Sequence, residues 1–317
     1  MRFISWSIDK LEELVELWNR ELGTDFPMRK QLFEQNSFRD DNVFFEASRI
    51  ALDENNNVIG FLVAKRWQEK LEVGMNPNMG WIQVLLVDHR FRNQSIGTNL
   101  LKHAEKIFMD NNINSIVLGR DPWHYFPGIP QQYDDVSSWF EKQGYNKLGS
   151  DYDVLCKYNS GSDTAFPKFE GVEFSVLDIK DKDPFLQFLN RCFPGRWEYE
   201  AIHYFEKGGT GREFVVLKKE NKIIGFCRMN DSNSPIIAQN VYWAPLFNEE
   251  LGGIGPLGID SNERKNGYGL AIVQAGIVYL RNRNVNSIVI DWTGLIDFYG
   301  KLGYEVWKSY NSYKKNI

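Results

Sequence analysis

The chain repeats itself. "NNVIGFLVAK" around Gly60 returns as "NKIIGFCRMN" around Gly225, and "VDHRFRNQSIGTNLL" returns as "IDSNERKNGYGLAIV", with Arg92 over Arg264 and Gly97 over Gly269. "INSIVLG" matches "VNSIVID", and "WFEKQGY" matches "FYGKLGY". Four matches in one order within 317 residues argue for a tandem duplication, so the chain must build one architecture twice. The offset is 172 residues at Arg264 over Arg92 but 159 at Gly303 over Gly144, which gives the first copy 13 extra residues late in its length. They fall in "GRDPWHYFPGIPQQYDD", a loop rich in proline and aromatic residues. The expected domains are residues 1–158 and 169–317, joined by a linker at 159–168 where glycine, serine and proline cluster.

Both copies read alike. A helical start ("LEELVELWNREL"; "DPFLQFLNRCF") precedes two strands joined by an asparagine-containing polar turn, the pattern of a hairpin. An apolar strand, a polar turn and a long helix follow; in the second copy the helix is expected from about Tyr268 to Arg283, with Leu270, Val273, Ile277 and Leu280 on its apolar repeat. A further strand, "NSIVID", and a short helix ending at Gly303 close the pattern.

Between strand and helix in the second copy lies "NERKNGYGL". Gly267 and Gly269 there let main-chain N–H groups approach a ligand closely, and the first turn of a helix favours an anion, a phosphate above all. Plain turn glycines would give the same letters. The bulk of the chain narrows the choice of partner. A net charge of −5 speaks against nucleic acid and anionic membranes, although Arg264–Lys265 remain a local basic patch. Three cysteines, Cys156, Cys192 and Cys227, lack metal spacing and fit a reduced, cytoplasmic chain. Metal dependence is not indicated, and neither a signal peptide nor a stretch of about 18 apolar residues is visible. Motifs of serine hydrolases, P-loop nucleotidases and zinc proteases are missing as well.

Taken together, "GPLGIDSNERKNGYGLAIV", "SIVID" and "FYGKLGY" resemble the GNAT acyltransferase superfamily: strand, Arg-x-x-Gly-x-Gly, helix, strand, then Tyr-x-x-x-Gly-Tyr. The resemblance spans most of both halves, from about Ile4 to Val154 and from Val172 to Tyr313. It implies an α/β fold of two tandem GNAT domains, each a twisted, mostly antiparallel mixed sheet with helices on both faces. Acetyl-coenzyme A is the implied cofactor. Its pyrophosphate would lie on Arg264, Lys265, Asn266, Gly267, Tyr268 and Gly269, and its pantetheine arm along the strand at Leu257, Gly258 and Ile259. In many members the tyrosine four residues before the tail glycine is the acid for the departing thiolate, which here is Tyr299.

The two copies test each other. Asp291 falls over Gly119, Gly267 over Ser95 and Tyr299 over Phe140, so the second copy alone carries a carboxylate, the first motif glycine and a phenol at these places. It is the expected catalytic domain, with Asp291 as base and Tyr299 as acid. A helix cap or cation partner is the plainer reading of Asp291, and a ring packed under the coenzyme that of Tyr299. The first copy keeps Val87, Arg92, Asn93, Gln94, Ser95, Ile96 and Gly97, a possible second coenzyme site or a structural remnant. Candidate acceptor contacts are Trp292, Trp243, Trp197, Glu198 and His124, aromatic faces and polar groups suited to a cationic amine or an amino sugar. Core packing is the rival reading for the tryptophans, and loop hydrogen bonding for His124. More loosely, the chain resembles bacterial acetyltransferases of glucosamine and glucosaminides, which would make the partner a small-molecule amine. Polyamines, aminoglycosides, amino acids, thiol-amines and a non-catalytic acyl-coenzyme A sensor stay open, as does the choice between monomer and homodimer.

Overall fold

Hairpins are the first elements that the sequence dictates, and the computed structural model, which describes residues 1–159 and 165–317, contains them. Strands β2 (Arg49–Leu52) and β3 (Val58–Arg66) pair antiparallel, as do β9 (Phe214–Lys219) and β10 (Lys222–Asn230). The second hairpin turns on Glu220 and Asn221, both at positive φ, the backbone that matches the twist of two antiparallel strands. Residues 160–164 of the expected linker lie outside the described residues.

The chain forms two units, Met1–Leu71 with Asn76–Asp151 and Ser309–Ile317, and Glu72–Met75 with Tyr152–Lys308. These bounds differ from those read off the repeats, because each unit takes the closing strand of its sheet from the other copy. In the first unit β1 (Arg2–Ser5), β2, β3, β4 (Met79–Val87) and β5 (Ser115–Leu118) lie in that order, antiparallel except for the parallel β4–β5 pair. The end of β13 (Glu305–Asn316) then pairs with β5 through Lys314↔Val117 and Asn316↔Ser115. In the second unit the order runs β8 (Val172–Val176), β9, β10, β11 (Leu251–Ile259) and β12 (Ser287–Thr293), again with one parallel pair, β11–β12. The end of β7 (Asn146–Lys157) closes that sheet through Val154↔Ile290 and Cys156↔Ile288.

Helices cover the faces. In the first unit α1 (Leu11–Leu22) buries Leu11, Leu14, Leu17 and Trp18, one stripe at helical spacing, and α2 (Lys30–Ser37) packs beside it. Leu100, Leu101, Ala104 and Phe108 of α3 (Ile96–Asp110) join a core with Leu62, Ala64 and Ile82, while α4 (Asp134–Lys142) adds Phe140. In the second unit α5 (Lys182–Cys192) and α6 (Arg196–Glu206) place Phe185, Phe188 and Trp197 among Phe214 and Phe226. Helix α7 (Tyr268–Arg281) is buried almost all round and packs on the sheet, where a Cβ on Gly276 would be in ordinary contact with Cys227 Sγ and Ile254 at 3.4 Å. The last helix, α8 (Ile296–Gly300), is shorter than expected; a turn carries the chain on to Gly303, whose φ of +84° suits a glycine. The 13 extra residues of the first copy contribute to the loop after β5, whose short strand β6 (Ile129–Pro130) pairs with Asn311 and Tyr310. Among the described residues no helix is long and apolar enough to cross a membrane.

Candidate active site

The parallel strands of the second unit run together from Leu251↔Ser287 to Ile254↔Ile290 and then part. Composition explains why. Gly255 takes φ +129°, open only to glycine, Pro256 has no N–H to donate, and on the other strand Trp292 adopts φ +44° while the register against β7 shifts between Ile290 and Thr293. Beyond the fork Gly258 and Ile259 still pair with Phe226 and Gly225 of β10, while the ladder to β12 on the other side of this backbone has ended. Leu257 is half-buried there, and Gly258 is bare for a steric reason, since a Cβ would stand 2.4 Å from the Phe193 ring.

The turn from β11 into α7 follows directly on this unpaired edge. Asp260 accepts from the Asn262 amide, Arg264 Nε donates to the Ile259 carbonyl at 3.3 Å, and Lys265 and Gly267 take φ +68° and +81°. Residues Arg264, Lys265, Asn266 and Gly267 are exposed, whereas Tyr268 is buried and Gly269 lies 3.6 Å (Cβ position) from Phe298. A left-handed Gly267 at the head of a 14-residue helix leaves the first-turn amides turned outward, the arrangement that suits a diphosphate. These residues therefore fit the phosphate end of an acyl-coenzyme A, and the forked strand fits its extended arm.

Asp291 stands just past the fork on β12. It keeps some surface, yet burial pushes its carboxyl above the ordinary range; Arg196 pulls it down, Glu200 pushes it up, and a hydrogen bond from Asn240 pulls it down again. Asn240 Nδ2 donates to Asp291 Oδ1 at 3.1 Å and to the Gly255 carbonyl at 3.3 Å. The neighbouring Trp292 holds its left-handed backbone with its amide on Asp153 Oδ1 at 3.0 Å, and the Arg196 guanidinium lies 4.3 Å over its ring. Tyr299 on α8 is 6% exposed; burial pushes its phenol up, and a hydrogen bond with Thr293 opposes the shift. It stays protonated at neutral pH, as a proton donor must.

The other candidate acceptor contacts divide. Glu198 is buried and accepts from Asn190 Nδ2 at 2.8 Å, while the half-buried Trp197 packs its ring against Phe193 and Phe226. Trp243 is 3% exposed and stacks edgewise near Tyr242. His124 belongs to the first unit, buried, with Nδ1 at 2.8 Å from the Asp121 carbonyl. Sequence reading missed Asn240, Arg196 and Glu200. One signal was available: the paired Gly252–Gly253 inside a strand marks a close approach, and a Cβ on Gly253 would lie 2.0 Å from Asn240 Oδ1.

The first unit repeats the loop but not the strand end. Arg92 Nε donates to the Val87 carbonyl at 3.1 Å, Asp88 accepts from the Arg90 amide, and Asn93 and Ser95 both take φ +62°. Gln94 is exposed, and Ile96 and Gly97 begin α3 beside a cavity of about 360 Å³ lined by Leu85, Leu86, Trp139 and Phe140. Strands β4 and β5 also fork after Ile82↔Leu118. Where Asp291 would be, however, stands Gly119 at φ +63°, with the Phe126 carbonyl 2.0 Å from any Cβ. Lys65 is fully buried between Asp40 at 2.7 Å and Asp121 at 2.6 Å.

The acetyltransferase (GNAT) family model matches residues 10–125 and 182–304, more than half of the chain. The chain belongs to the GNAT family. No curated protein sequence matches it. Among solved structures, the GCN5-related glucosamine N-acetyltransferase region of a fungal multi-domain GH3 β-N-acetylglucosaminidase superposes with a TM-score of 0.87 at 23% identity, over 99% of this chain and 38% of that one. This GNAT chain thus spans well under half the length of that relative. A tandem GNAT protein from the clavulanic acid biosynthesis pathway gives 0.70 at 13% identity, over 99% of this chain and 98% of the other. Saccharomyces cerevisiae N-myristoyltransferase with bound myristoyl-CoA gives 0.61 at 13%, over 99% and 80%. The family match falls once in each copy, so the chain carries the mixed α/β GNAT fold twice in tandem.

Proposed function

We propose that the second copy transfers an acetyl group from acetyl-coenzyme A to the primary amine of a small molecule, best matched by an amino sugar such as glucosamine or a glucosaminide. The carrying observation is the co-occurrence in one copy of the exposed Gly267 loop, the forked β11 edge, the desolvated Asp291 and the buried Tyr299. Acetyl-coenzyme A, when bound, supplies an activated thioester acyl group. The loop amides from Arg264 to Gly269 and the free edge of Leu257–Ile259 hold and orient it.

The acceptor arrives as an ammonium and must lose a proton before it can attack. Asp291 takes that proton at its carboxylate, and its raised affinity for protons makes it a better base than an exposed aspartate. Amides fixed along the fork face the oxygen on which negative charge develops. Tyr299 holds its proton at neutral pH and is the proposed donor to the departing thiolate as the thiol forms, although burial makes its phenol a weaker acid than an exposed tyrosine. Trp292, with Arg196 across its ring, offers the flat face and the hydrogen-bond donors that a sugar ring uses. The glucosamine N-acetyltransferase region among the similar structures supports that acceptor class.

The first copy, in this reading, keeps a coenzyme-like slot at Val87 and Arg92–Gly97 without transferring, because Gly119 and Phe140 replace the base and the acid. Thiol release from acetyl-coenzyme A, measured over amino sugars, polyamines, amino acids and aminoglycosides, tests the proposal. Turnover confined to amino sugars is expected; turnover confined to another amine class reassigns the acceptor, and none at all removes the transfer reading.

A further inference from the structure

We propose that Asn240 is a positioning residue: it locks the Asp291 carboxylate to the open end of the forked strand, so that the base and the acyl-binding edge move as one body. The inference rests on the reading of Asp291 as base. Its geometry is a bracket. The single side-chain amide of Asn240 donates to Asp291 Oδ1 at 3.1 Å and to the Gly255 carbonyl at 3.3 Å, joining β12 to β11 at the level where their own ladder has ended. The other end of that side chain is held too, since Asn230 Nδ2 donates to Asn240 Oδ1 at 3.1 Å. Asn240 is 3% exposed and Asn230 fully buried, so no solvent replaces either bond.

Room for the bracket is built into the strand beneath it. A Cβ on Gly253 would stand 2.0 Å from Asn240 Oδ1 and 2.6 Å from its Cβ, and the second contact is one that no rotation of the side chain relieves. Glycine inside a strand is otherwise a cost of roughly 0.5–1 kcal/mol. A short segment around Gln239–Val241 carries the asparagine onto the sheet face opposite α7, where Val241, Leu251 and Val289 pack together. With both oxygens of a carboxylate free to rotate, only one rotamer presents the lone pair that can reach an amine; the bracket selects it before substrate arrives.

Three other groups act on Asp291, and a fourth, a carboxylate, sits beside its neighbour, which sets the background for any pH test. Arg196 and Glu200 approach from α6 with opposite effects, Tyr299 from α8 is coupled to it, and Asp153 of β7 holds the adjacent Trp292 amide. Removing the Asn240 amide takes away a donor to the charged form, so Asp291 ionises at higher pH.

The test is the pH dependence of kcat/KM for the intact protein with its best amine, in wild type, Asn240→Ala, the isosteric Asn240→Asp and Asp291→Asn. Expected is an acid limb that Asp291→Asn abolishes, that Asn240→Ala moves up by about one pH unit, and that Asn240→Asp moves further by setting a second carboxylate beside the first. Coenzyme affinity stays within about twofold in all of them. If Asp291→Asn abolishes the limb while both Asn240 variants leave it in place, the base reading stands and the bracket falls, even where thermal stability drops. A limb that survives in Asp291→Asn sinks the base reading and the bracket with it. Asn240→Asp keeps the side chain's shape, so a failure of Asn240→Ala to fold leaves the isosteric variant to decide.

Discussion

The loops before α3 and α7 share a backbone, whereas the strand ends beside them do not. Arg92 and Arg264 each donate to the carbonyl five residues back, Asp88 and Asp260 each accept from the amide two residues on, and Ser95 and Gly267 both lie in the left-handed region. Beyond the forks the copies separate: Asp291 with its Asn240 contact in one, Gly119 pressed against the Phe126 carbonyl in the other. An anion-facing loop is made of main chain and outlasts changes of side chain. A base is one side chain and disappears with one substitution. The proposed division of labour rests on this contrast: chemistry in the second copy, and in the first only a loop of the same backbone.

The sharpest blow to this assignment is a charge at the loop. Gly267→Glu forces a side chain into φ +81° and sets a carboxylate where a diphosphate would lie, so coenzyme affinity is expected to fall more than about a thousandfold by titration calorimetry. Ser95→Glu in the first copy leaves turnover unchanged, and the reverse outcome would move catalysis to the first copy. Next comes Asp291→Asn, expected to lower turnover by about 10²–10⁴-fold. Its stability effect has the opposite sign. An acid whose folded pKa is raised binds more protons folded than unfolded, so stability falls as pH climbs from the ordinary carboxylate value through the raised one, and at neutral pH the folded state carries the penalty. Asp291→Asn should thus raise the melting temperature at pH 7 while lowering turnover; a lower melting temperature would mean that the charge is structurally compensated. Tyr299→Phe should cost turnover about a hundredfold with coenzyme affinity unchanged, since the ring's packing beside Phe298 and Tyr304 survives, and an equal loss in both would make it a packing residue.

Much of this contrast was legible before any coordinates. The duplication, the hairpins, the glycine loop and the pairing of Asp291 with Gly119 and of Tyr299 with Phe140 are local or repeat-based, and local signals survive in one dimension. Three things were hidden for physical reasons. The closing strands β7 and β13 pair in the unit opposite to the one their repeat suggests, and no residue in "SDYDVLCKY" or "VWKSYNSYKK" encodes its partner. The surroundings of Trp197 were hidden too: its half-buried ring meets Phe193 and Phe226, because an aromatic next to a helix start reads the same in a core and in a pocket. Asn240 was invisible because its role depends on Asp291, 51 residues later, and on the missing Cβ of Gly253.

Converting the first copy is expected to fail structurally before it fails chemically. Gly119→Asp with Phe140→Tyr supplies the letters of the second copy, but a Cβ at position 119 overlaps the Phe126 carbonyl at 2.0 Å, and a buried phenol needs a partner among Tyr145 and Trp139. A loss of roughly 3 kcal/mol in denaturant unfolding is expected, with no gain of activity in a Gly267→Glu background. A stable double variant would show that the loop after β5 yields more easily than its packing suggests.

The smallest effect is the most discriminating for the loops themselves. Ser95 holds φ +62° without the freedom of glycine, a placement that costs a β-carbon-bearing residue roughly 1–2 kcal/mol. Ser95→Gly relieves that strain but gives the unfolded chain more conformations to lose, a penalty of about 0.5–1 kcal/mol, so the net gain should be under about 1 kcal/mol by thermal unfolding. The informative readout is coenzyme binding by the first copy, measured in the Gly267→Glu background where the second loop is silenced. If the first loop is held left-handed only by its own Arg92 and Asp88 contacts, Ser95→Gly restores the second copy's motif and binding there strengthens. Binding that stays absent would place the block elsewhere, in the Arg92–Glu21 ion pair at 2.6 Å, which ties up the cation that the loop would offer to a phosphate.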